Sequence, residues 1–151
     1  MDENKLKLGA KNLVTGCLGD VFGKTVLIVA EDPTLGWYDA AAPASVETAL
    51  RELGAKVKTL IVGAPKNRIF KFVQAAIDSV DEVIFFARIG DQGRFKFQYD
   101  SPHSVMSYAL NAEMLAGGYG TLNHSSMVAL KDAIDDVTLT ADNIRVTCPL
   151  G

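Results

Sequence analysis

The chain has 151 residues, which is enough for one domain with a substantial core. Its net charge of −3 gives no electrostatic reason to expect nucleic acid or an anionic membrane as a partner. No apolar run approaches the roughly 18 residues of a membrane span, the N-terminus lacks the pattern of a signal peptide, and two cysteines are too few for a disulfide framework. We therefore expect a cytoplasmic protein that binds neither nucleic acid nor membrane.

An amphipathic helix is predicted over Glu3–Leu18, because apolar residues recur there at three- and four-residue steps. Three glycines follow within a few residues, at positions 16, 19 and 23. A phosphate-binding glycine loop comes after its strand and opens a helix, whereas these glycines come before a strand. They therefore favour a turn over a dinucleotide site.

The segment GKTVLIVAEDP, residues 23–33, contains a strand that is apolar at every position from Val26 to Ala30. A strand of this kind needs burial on both of its faces, as in the centre of a parallel sheet with helices on either side. Ligand sites in such sheets lie just beyond the carboxyl ends of the strands. In this chain that position is occupied by a polar segment with two aromatic residues, Trp37 and Tyr38.

Helices and strands alternate in the segments that follow. The predicted elements are a helix from Pro43 to Leu53 that ends at Gly54, a strand over Lys56–Val62 that is exposed in its first half and buried in its second, a helix that begins at Asn67, and a buried strand over Val83–Ala87. Strands that alternate with helices of about a dozen residues are typical of right-handed parallel crossovers.

The last third of the chain is predicted to add two further strands. A long polar loop over Arg88–His103 is followed by a strand over Ser104–Leu110, a helical turn over Ala112–Ala116, a helix over Ser125–Val137 with its apolar face turned inward, and a strand over Ile144–Cys148. The whole chain, residues 1–151, is thus predicted to be a single three-layer α/β domain. Its mostly parallel, Rossmann-like sheet has about five strands and flanking helices.

Candidate substrate-binding residues gather in two places at the carboxyl edge of this predicted sheet, after the first strand and in the long loop after the third. They are Asp32, Trp37, Tyr38, Arg88, Asp91, Arg94 and His103. The basic members could hold an anionic substrate group, or could belong to an ordinary solvated loop. Asp32 could face a ligand, or could cap the turn that begins at Pro33. The two aromatics could line a pocket or an interface, or could cover the edge of the sheet.

Metal ligands and nucleophiles are not evident in this chain. The two histidines, His103 and His124, belong to no closely spaced ligand pattern. Cys17 lies on the apolar face of the first predicted helix and Cys148 in the last predicted strand, so both are expected in the core. No Walker, zinc or Ser–His–Asp signature is present. We expect no metal bound by these residues alone.

The chain resembles the N-terminal domain of the thermophilic metallo-aminopeptidase-like family, the aminopeptidase T group, which also includes the 2,5-dihydroxypyridine 5,6-dioxygenases. The resemblance lies in the leading helix before GKTVLIVAEDP, in ALRELGAKVKTLIV and AAIDSVDEVIFF, and in the ending ADNIRVTCPLG. It extends over essentially all 151 residues. It implies that the chain is the N-terminal, substrate-shaping part of a two-domain enzyme, and a homo-oligomer at full length.

The resemblance also implies a metal-dependent chemistry, either aminopeptidase hydrolysis of peptides or iron-dependent ring cleavage of a small molecule. In that family a divalent ion (zinc, cobalt or iron) is bound by histidines and carboxylates of the C-terminal half, so this chain alone is expected to be catalytically incomplete. The dioxygenases carry a histidine in the loop after the third strand, where this chain has Gly90 and Asp91. That difference argues against a dioxygenase, although His103 could substitute.

Two alternatives of other classes remain open. The chain could be a stand-alone small-molecule-binding α/β domain. Nucleotide binding at the strand ends is a weaker alternative, because no glycine loop follows the first strand.

Overall fold

The computed structural model of the chain describes residues 2–65, 69–91 and 103–148. Helices and strands alternate along most of these residues. In chain order they are α1 (Glu3–Cys17), β1 (Thr25–Glu31), α2 (Ala41–Glu52), β2 (Lys56–Val62), α3 (Ile69–Ile77), β3 (Glu82–Phe86), β4 (His103–Met106), α4 (Ala112–Leu115), α5 (Gly118–Thr121) and α6 (His124–Thr140). Short 3₁₀ turns follow β1, over Pro33–Leu35, and β3, over Arg88–Asp91.

The described strands form one parallel sheet in the order β2-β1-β3-β4. β1 lies inside the sheet, with Val29 opposite Leu60 of β2 on one side and opposite Phe85 of β3 on the other. Parallel neighbours require crossover connections, which α2 and α3 supply. The predicted three-layer α/β architecture, with the first strand at its centre, is confirmed.

Both faces of β1 are buried, as its uninterrupted apolar sequence predicts. On one face Val26 and Ile28 pack in a core formed with α1 and α2. On the other face Leu27 and Val29 pack with residues of α3, among them Val73. Successive side chains of a strand point to opposite faces, so a strand between two helical layers must be apolar at every position.

Glycines form the turns before β1 and after α2. Gly23, in the connection before β1, has a φ of 75°, and Gly54, just after α2, has a φ of 85°. These left-handed conformations are accessible to glycine without steric cost. Of the glycine cluster before β1, Gly19 and Gly23 form the predicted turn, whereas Gly16 lies inside α1; α2 ends at a glycine, as predicted.

The predictions for the second half of the chain need three corrections. Residues 143–148 have no regular secondary structure and are exposed, so a fifth strand over Ile144–Cys148 is wrong, and with it a core position for Cys148. α6 is present, but its apolar face is exposed rather than turned inward. β4 spans four residues instead of the predicted seven. Among the described residues no helix is long and apolar enough to cross a membrane.

The predicted burial of the second half of β2 is confirmed only in part, because Val62 is buried and Leu60 half-buried, whereas Ile61 is exposed. β2 is at the edge of the sheet, where one side has no neighbouring strand in the described part of the chain, and its Ile61 is 58% exposed. The predicted start of α3 at Asn67, and most of the long loop after β3, lie outside the described residues.

We expect Ile28→Ala to lower the free energy of unfolding by about 2–5 kcal/mol, because it removes a fully buried side chain and leaves a cavity in the core. Urea denaturation followed by circular dichroism measures the change. The matched control is Ile61→Ala on the edge strand, which should change the free energy of unfolding by less than about 1 kcal/mol. Equal effects of the two substitutions would contradict the central position of β1.

Candidate functional site

The carboxyl end of β1 carries a buried carboxylate, Glu31, that the sequence analysis did not single out. Its side chain is completely shielded from solvent. A buried carboxylate is costly unless it is paired and hydrogen-bonded. The sequence does contain a signal for this residue, because Glu31 directly follows the apolar run of a strand that is buried on both faces. A carboxylate at such a position predicts a cationic partner at the same edge of the sheet.

Arg88 is that partner. Its Nε lies 2.9 Å from Oε1 and 3.0 Å from Oε2 of Glu31, its Nη2 lies 2.6 Å from Oε1, and its backbone N–H donates to Oε2 at 3.1 Å. Arg88 lies two residues after the end of β3, so the pair joins the carboxyl ends of two adjacent strands. The hydrogen bonds to Glu31 raise the pKa of the Arg88 guanidinium further above its usual value.

Trp37 covers the same guanidinium from the solvent side. The guanidinium carbon of Arg88 lies 4.6 Å from the centre of the indole ring, within the range of a cation–π contact. Trp37 remains 53% exposed and the Arg88 side chain one-third exposed. Within the described part of the chain, Nε and Nη2 make the hydrogen bonds of the guanidinium.

Tyr38 lies beneath this surface rather than on it. It is buried, and its hydroxyl donates a 3.4 Å hydrogen bond to the carbonyl oxygen of Ser107. Burial raises the pKa of the Tyr38 phenol, and the negative charges of Glu31 and Asp91 raise it further. Asp91 accepts a 2.8 Å hydrogen bond from Tyr108, so it lies close to the start of the segment after β4.

Asp32 caps the 3₁₀ turn that follows β1. Its carboxylate accepts hydrogen bonds from the backbone N–H of Thr34 at 2.9 Å and from the hydroxyl of Thr34 at 2.7 Å. These bonds, with that of the hydroxyl foremost, lower the pKa of Asp32. Of the two roles that the sequence left open, the structure shows the capping role.

One predicted site residue, His103, does not join this group. His103 opens β4 opposite Glu82, the first residue of β3, so its backbone lies at the amino edge of the sheet, away from Arg88. β4 runs parallel to β3, so its first residue lies at the edge opposite to the one that carries Arg88. At this position the backbone of His103 is not placed to replace the histidine that the dioxygenases carry where this chain has Gly90 and Asp91. Arg94 lies outside the described residues.

Asp39 is a second residue at this edge that the sequence analysis missed. Its two carboxylate oxygens accept hydrogen bonds from the backbone N–H groups of Ala42 and Ala112, each at 2.8 Å. One side chain therefore holds the first turns of both α2 and α4. Such a double cap depends on two segments about 70 residues apart in sequence, so local sequence patterns do not reveal it.

A separate, mostly apolar cavity of about 430 Å³ lies between α1, the segment after β4, and the first turn of α6. Its lining includes Leu13 and Cys17 of α1, Met106 and Tyr108 from the end of β4 onward, and Met127 of α6. Apolar cavities of this size are common binding sites for small molecules or for side chains of a partner.

Within residues 2–65, 69–91 and 103–148, no three His, Cys, Asp or Glu side chains come together as a group that could hold a metal ion. The residues of the candidate site therefore do not fit a metal centre of their own.

Neither a protein-family model nor a curated protein matches the chain. Among solved structures, the chain is similar to the 2,5-dihydroxypyridine dioxygenase from Pseudomonas putida KT2440, with a TM-score of 0.50 and 12% sequence identity. The match covers 71% of this chain and 35% of the dioxygenase chain, so this chain spans only about a third of that protein's length. A similarity at this level of identity supports the α/β fold and is consistent with the group that the sequence resembles.

We expect Arg88→Met to destabilise the fold, because it leaves the buried Glu31 carboxylate without its counter-charge. The thermal midpoint should fall by several degrees, and much less for Arg51→Met, which removes an exposed pair with Glu47 on α2. The double variant Glu31→Leu/Arg88→Met should recover much of the loss, since apolar residues can replace a buried pair. Equal midpoints for Arg88→Met and Arg51→Met would contradict a stabilising role of the pair.

We expect Cys17 to react with N-ethylmaleimide at pH 7.5 at least about tenfold more slowly than the exposed Cys148. Burial raises the pKa of the Cys17 thiol, and the thiolate is the reactive form. Its rate should keep rising as the pH increases past 9, because the thiolate fraction grows until the pH passes the raised pKa. Peptide mass spectrometry measures both rates, with the urea-unfolded chain as control. Similar rates in the folded chain would contradict the half-buried position of Cys17.

Proposed function

We propose that this chain is the substrate-shaping α/β domain of a metal-dependent enzyme whose metal ligands come from a C-terminal half. The observation that supports this most directly is the Trp37–Arg88 surface at the carboxyl edge of the sheet, the edge at which parallel α/β sheets bind ligands. The similarity in fold to one part of a larger dioxygenase agrees with such a division.

The described residues suggest how substrate would be held. Glu31 fixes Arg88 in one orientation, and the exposed indole of Trp37 offers a flat apolar surface beside it. A fixed guanidinium donates to carboxylate or other anionic oxygens, and an indole accepts a planar or apolar group. The domain would thus orient a small molecule or peptide that has an anionic group next to an apolar one.

Hydrolysis of peptides by an aminopeptidase-like enzyme is the first candidate reaction, based on the sequence resemblance. The metal, zinc, cobalt or iron, would act as a Lewis acid and would be held by residues beyond those described. Iron-dependent ring cleavage is the second candidate, and the similarity to the dioxygenase structure favours it. A stand-alone small-molecule-binding domain is the non-enzymatic alternative, for which the apolar cavity would be the site.

We expect the purified 151-residue chain to show no chelator-sensitive hydrolysis of leucine p-nitroanilide and no ring opening of 2,5-dihydroxypyridine with zinc, cobalt or ferrous iron. The product of a reading frame that continues past Gly151 should show one of these activities. In that longer product, Trp37→Ala should raise KM about fivefold, because it removes the aromatic surface.

The matched control for Trp37→Ala is Phe22→Ala, which removes another exposed aromatic side chain from the connection before β1, at the opposite edge of the sheet, and should leave KM unchanged. Turnover by the 151-residue chain that is lost on chelation would contradict the need for a C-terminal half. A reading frame that stops at Gly151, with a folded chain that binds small molecules, would instead support the stand-alone domain.

A further inference from the structure

The cavity of about 430 Å³ beside α1 shares no lining residue with the Trp37–Arg88 surface. Its other walls come from the segment after β4, from α4 and α5, and from the first turn of α6. The wall that α1 provides consists of residues spaced so that they share one face of the helix, namely Gly9, Asn12, Leu13 and Cys17. The cavity is therefore a second concave site, built from several elements of the chain.

Close contacts join α1 to the neighbouring walls at two points. A Cβ atom at Gly9 would overlap the carbonyl oxygen of Leu115 in α4. A Cβ atom at Gly16, about two helical turns further along, would lie 2.7 Å from the Cβ of His124 at the start of α6. Because glycine at both positions lets these segments approach so closely, the walls pack against one another around the cavity. The cavity is thus formed by the packing of this chain alone.

Asn12 lies between these two contacts on α1 and lines the cavity. Its Nδ2 donates to the carbonyl oxygens of Gly120 and Leu122 at 3.1 and 3.0 Å, which fixes the plane of the amide and identifies its nitrogen end. Among the described residues no group donates a hydrogen bond to the amide oxygen. A fixed acceptor in a mostly apolar lining is the kind of polar group that orients a ligand in a binding pocket.

The lining is uncharged and rich in polarisable side chains. Among the described residues that form it there is no aspartate, glutamate, lysine or arginine. Three of the four methionines of the chain, Met106, Met114 and Met127, line this one cavity, together with Tyr108 and Tyr119. Methionine side chains adapt to the shape of a bound molecule, and their sulfur atoms make favourable contacts with aromatic rings. The lining therefore favours an aromatic ligand over a charged one, which would lose its hydration without gaining a counter-charge.

The volume of the cavity limits the size of the ligand. An apolar cavity of about 150 Å³ holds benzene, and this cavity is about three times larger. It therefore has room for two linked aromatic ring systems. The thiol of Cys17, whose pKa is raised by burial, adds a neutral and polarisable group to the lining.

We propose that this cavity binds a neutral small molecule with two aromatic ring systems and one hydrogen-bond donor. The donor is directed at the amide oxygen of Asn12, and the rings lie among the methionine and tyrosine side chains. Because the cavity and the Trp37–Arg88 surface share no lining residue, the proposal does not depend on the metal-dependent chemistry proposed above.

A small molecule is favoured over a segment of a C-terminal half as the occupant. Surfaces between domains of one chain are comparatively polar, and the rims of interfaces carry polar side chains. This cavity is instead concave and uncharged and has one oriented acceptor, which is the composition of a ligand pocket. The exposed apolar side chains further along α6, among them Leu130 and Ile134, do not line it.

The first test is the binding of N-phenyl-1-naphthylamine, which is uncharged and has two aromatic ring systems and one N–H group. Its fluorescence should rise on addition of the 151-residue chain, with a Kd below about 10 µM. The N-methyl analogue, which lacks the donor, should bind about fivefold more weakly. The sulfonated analogue 8-anilinonaphthalene-1-sulfonate should bind at least about tenfold more weakly, because no cation in the lining compensates its charge. Equal affinities for the three probes, or no binding of the neutral probe, would overturn the proposal.

The second test locates the bound probe. Ala109→Phe places a ring in the cavity and should raise the Kd of N-phenyl-1-naphthylamine at least about tenfold. The matched control is Ala129→Phe, which makes the same change at an exposed position of α6 outside the cavity and should leave the Kd unchanged. Circular dichroism verifies that both variants keep the fold. If both variants bind as tightly as the unsubstituted chain, the probe lies elsewhere and the proposal is wrong.

The third test uses the unsubstituted chain, so it does not depend on the folding of a variant. Saturating N-phenyl-1-naphthylamine should slow the alkylation of Cys17 by N-ethylmaleimide at least about tenfold, because the probe fills the space beside the thiol. The exposed Cys148 should react at an unchanged rate and is the internal control. Binding that leaves Cys17 unprotected, as expected for a probe on the exposed side chains of α6, would contradict the assignment of the site.

The longer product of a reading frame that continues past Gly151 separates this proposal from the alternative occupant. That product should bind N-phenyl-1-naphthylamine with a Kd within about twofold of that of the 151-residue chain. Loss of probe binding together with loss of Cys17 alkylation in the longer product would show that a C-terminal segment fills the cavity, and the small-molecule site would then be wrong.

Discussion

The neutralisation of Glu31 is the constraint on which the candidate site depends. β1 is buried on both faces because it lies between two helical layers, and its last residue is a carboxylate that solvent does not reach. A charge in that position is tolerated only with an opposite charge in good geometry. Arg88 satisfies it with hydrogen bonds from both its side chain and its backbone, and Trp37 packs on the guanidinium. The Trp37–Arg88 surface therefore follows from the need to neutralise a charge in the core.

Contacts of charged side chains also join the same two strands, β1 and β3, at their amino ends. Lys24, just before β1, forms a 2.8 Å ion pair with Glu82 at the start of β3, and the carboxylate of Asp81 accepts a 2.7 Å hydrogen bond from the backbone N–H of Thr25. β1 and β3 are thus linked by charged groups at both ends and by the ladder of hydrogen bonds between them. This framework gives the carboxyl edge of the sheet a defined geometry.

Local sequence patterns predicted the strands and helix ends that depend on neighbouring residues. They did not predict features that depend on contacts between segments distant in sequence. The continuous apolar run of β1 and the left-handed Gly54 were sufficient to predict a central strand and the end of α2. His103 was assigned to the wrong edge, because the edge depends on the direction of β4 relative to β3. The apolar repeat of α6 was recognised, but a repeat indicates only that a face requires a partner, and not whether that partner belongs to the same chain.

The sequence by itself determined the α/β class and the central position of β1, because hydrophobic periodicity and glycine turns act over a few residues. It also placed Trp37 and Arg88 at the carboxyl edge, since parallel strands all end there. Only the tertiary structure decided that Arg88 is held by Glu31, that Asp32 caps a turn and that Tyr38 is buried. It also left the face of α6 exposed. These outcomes depend on which groups meet in space, and the burial of a charge is decided by all the layers that surround it.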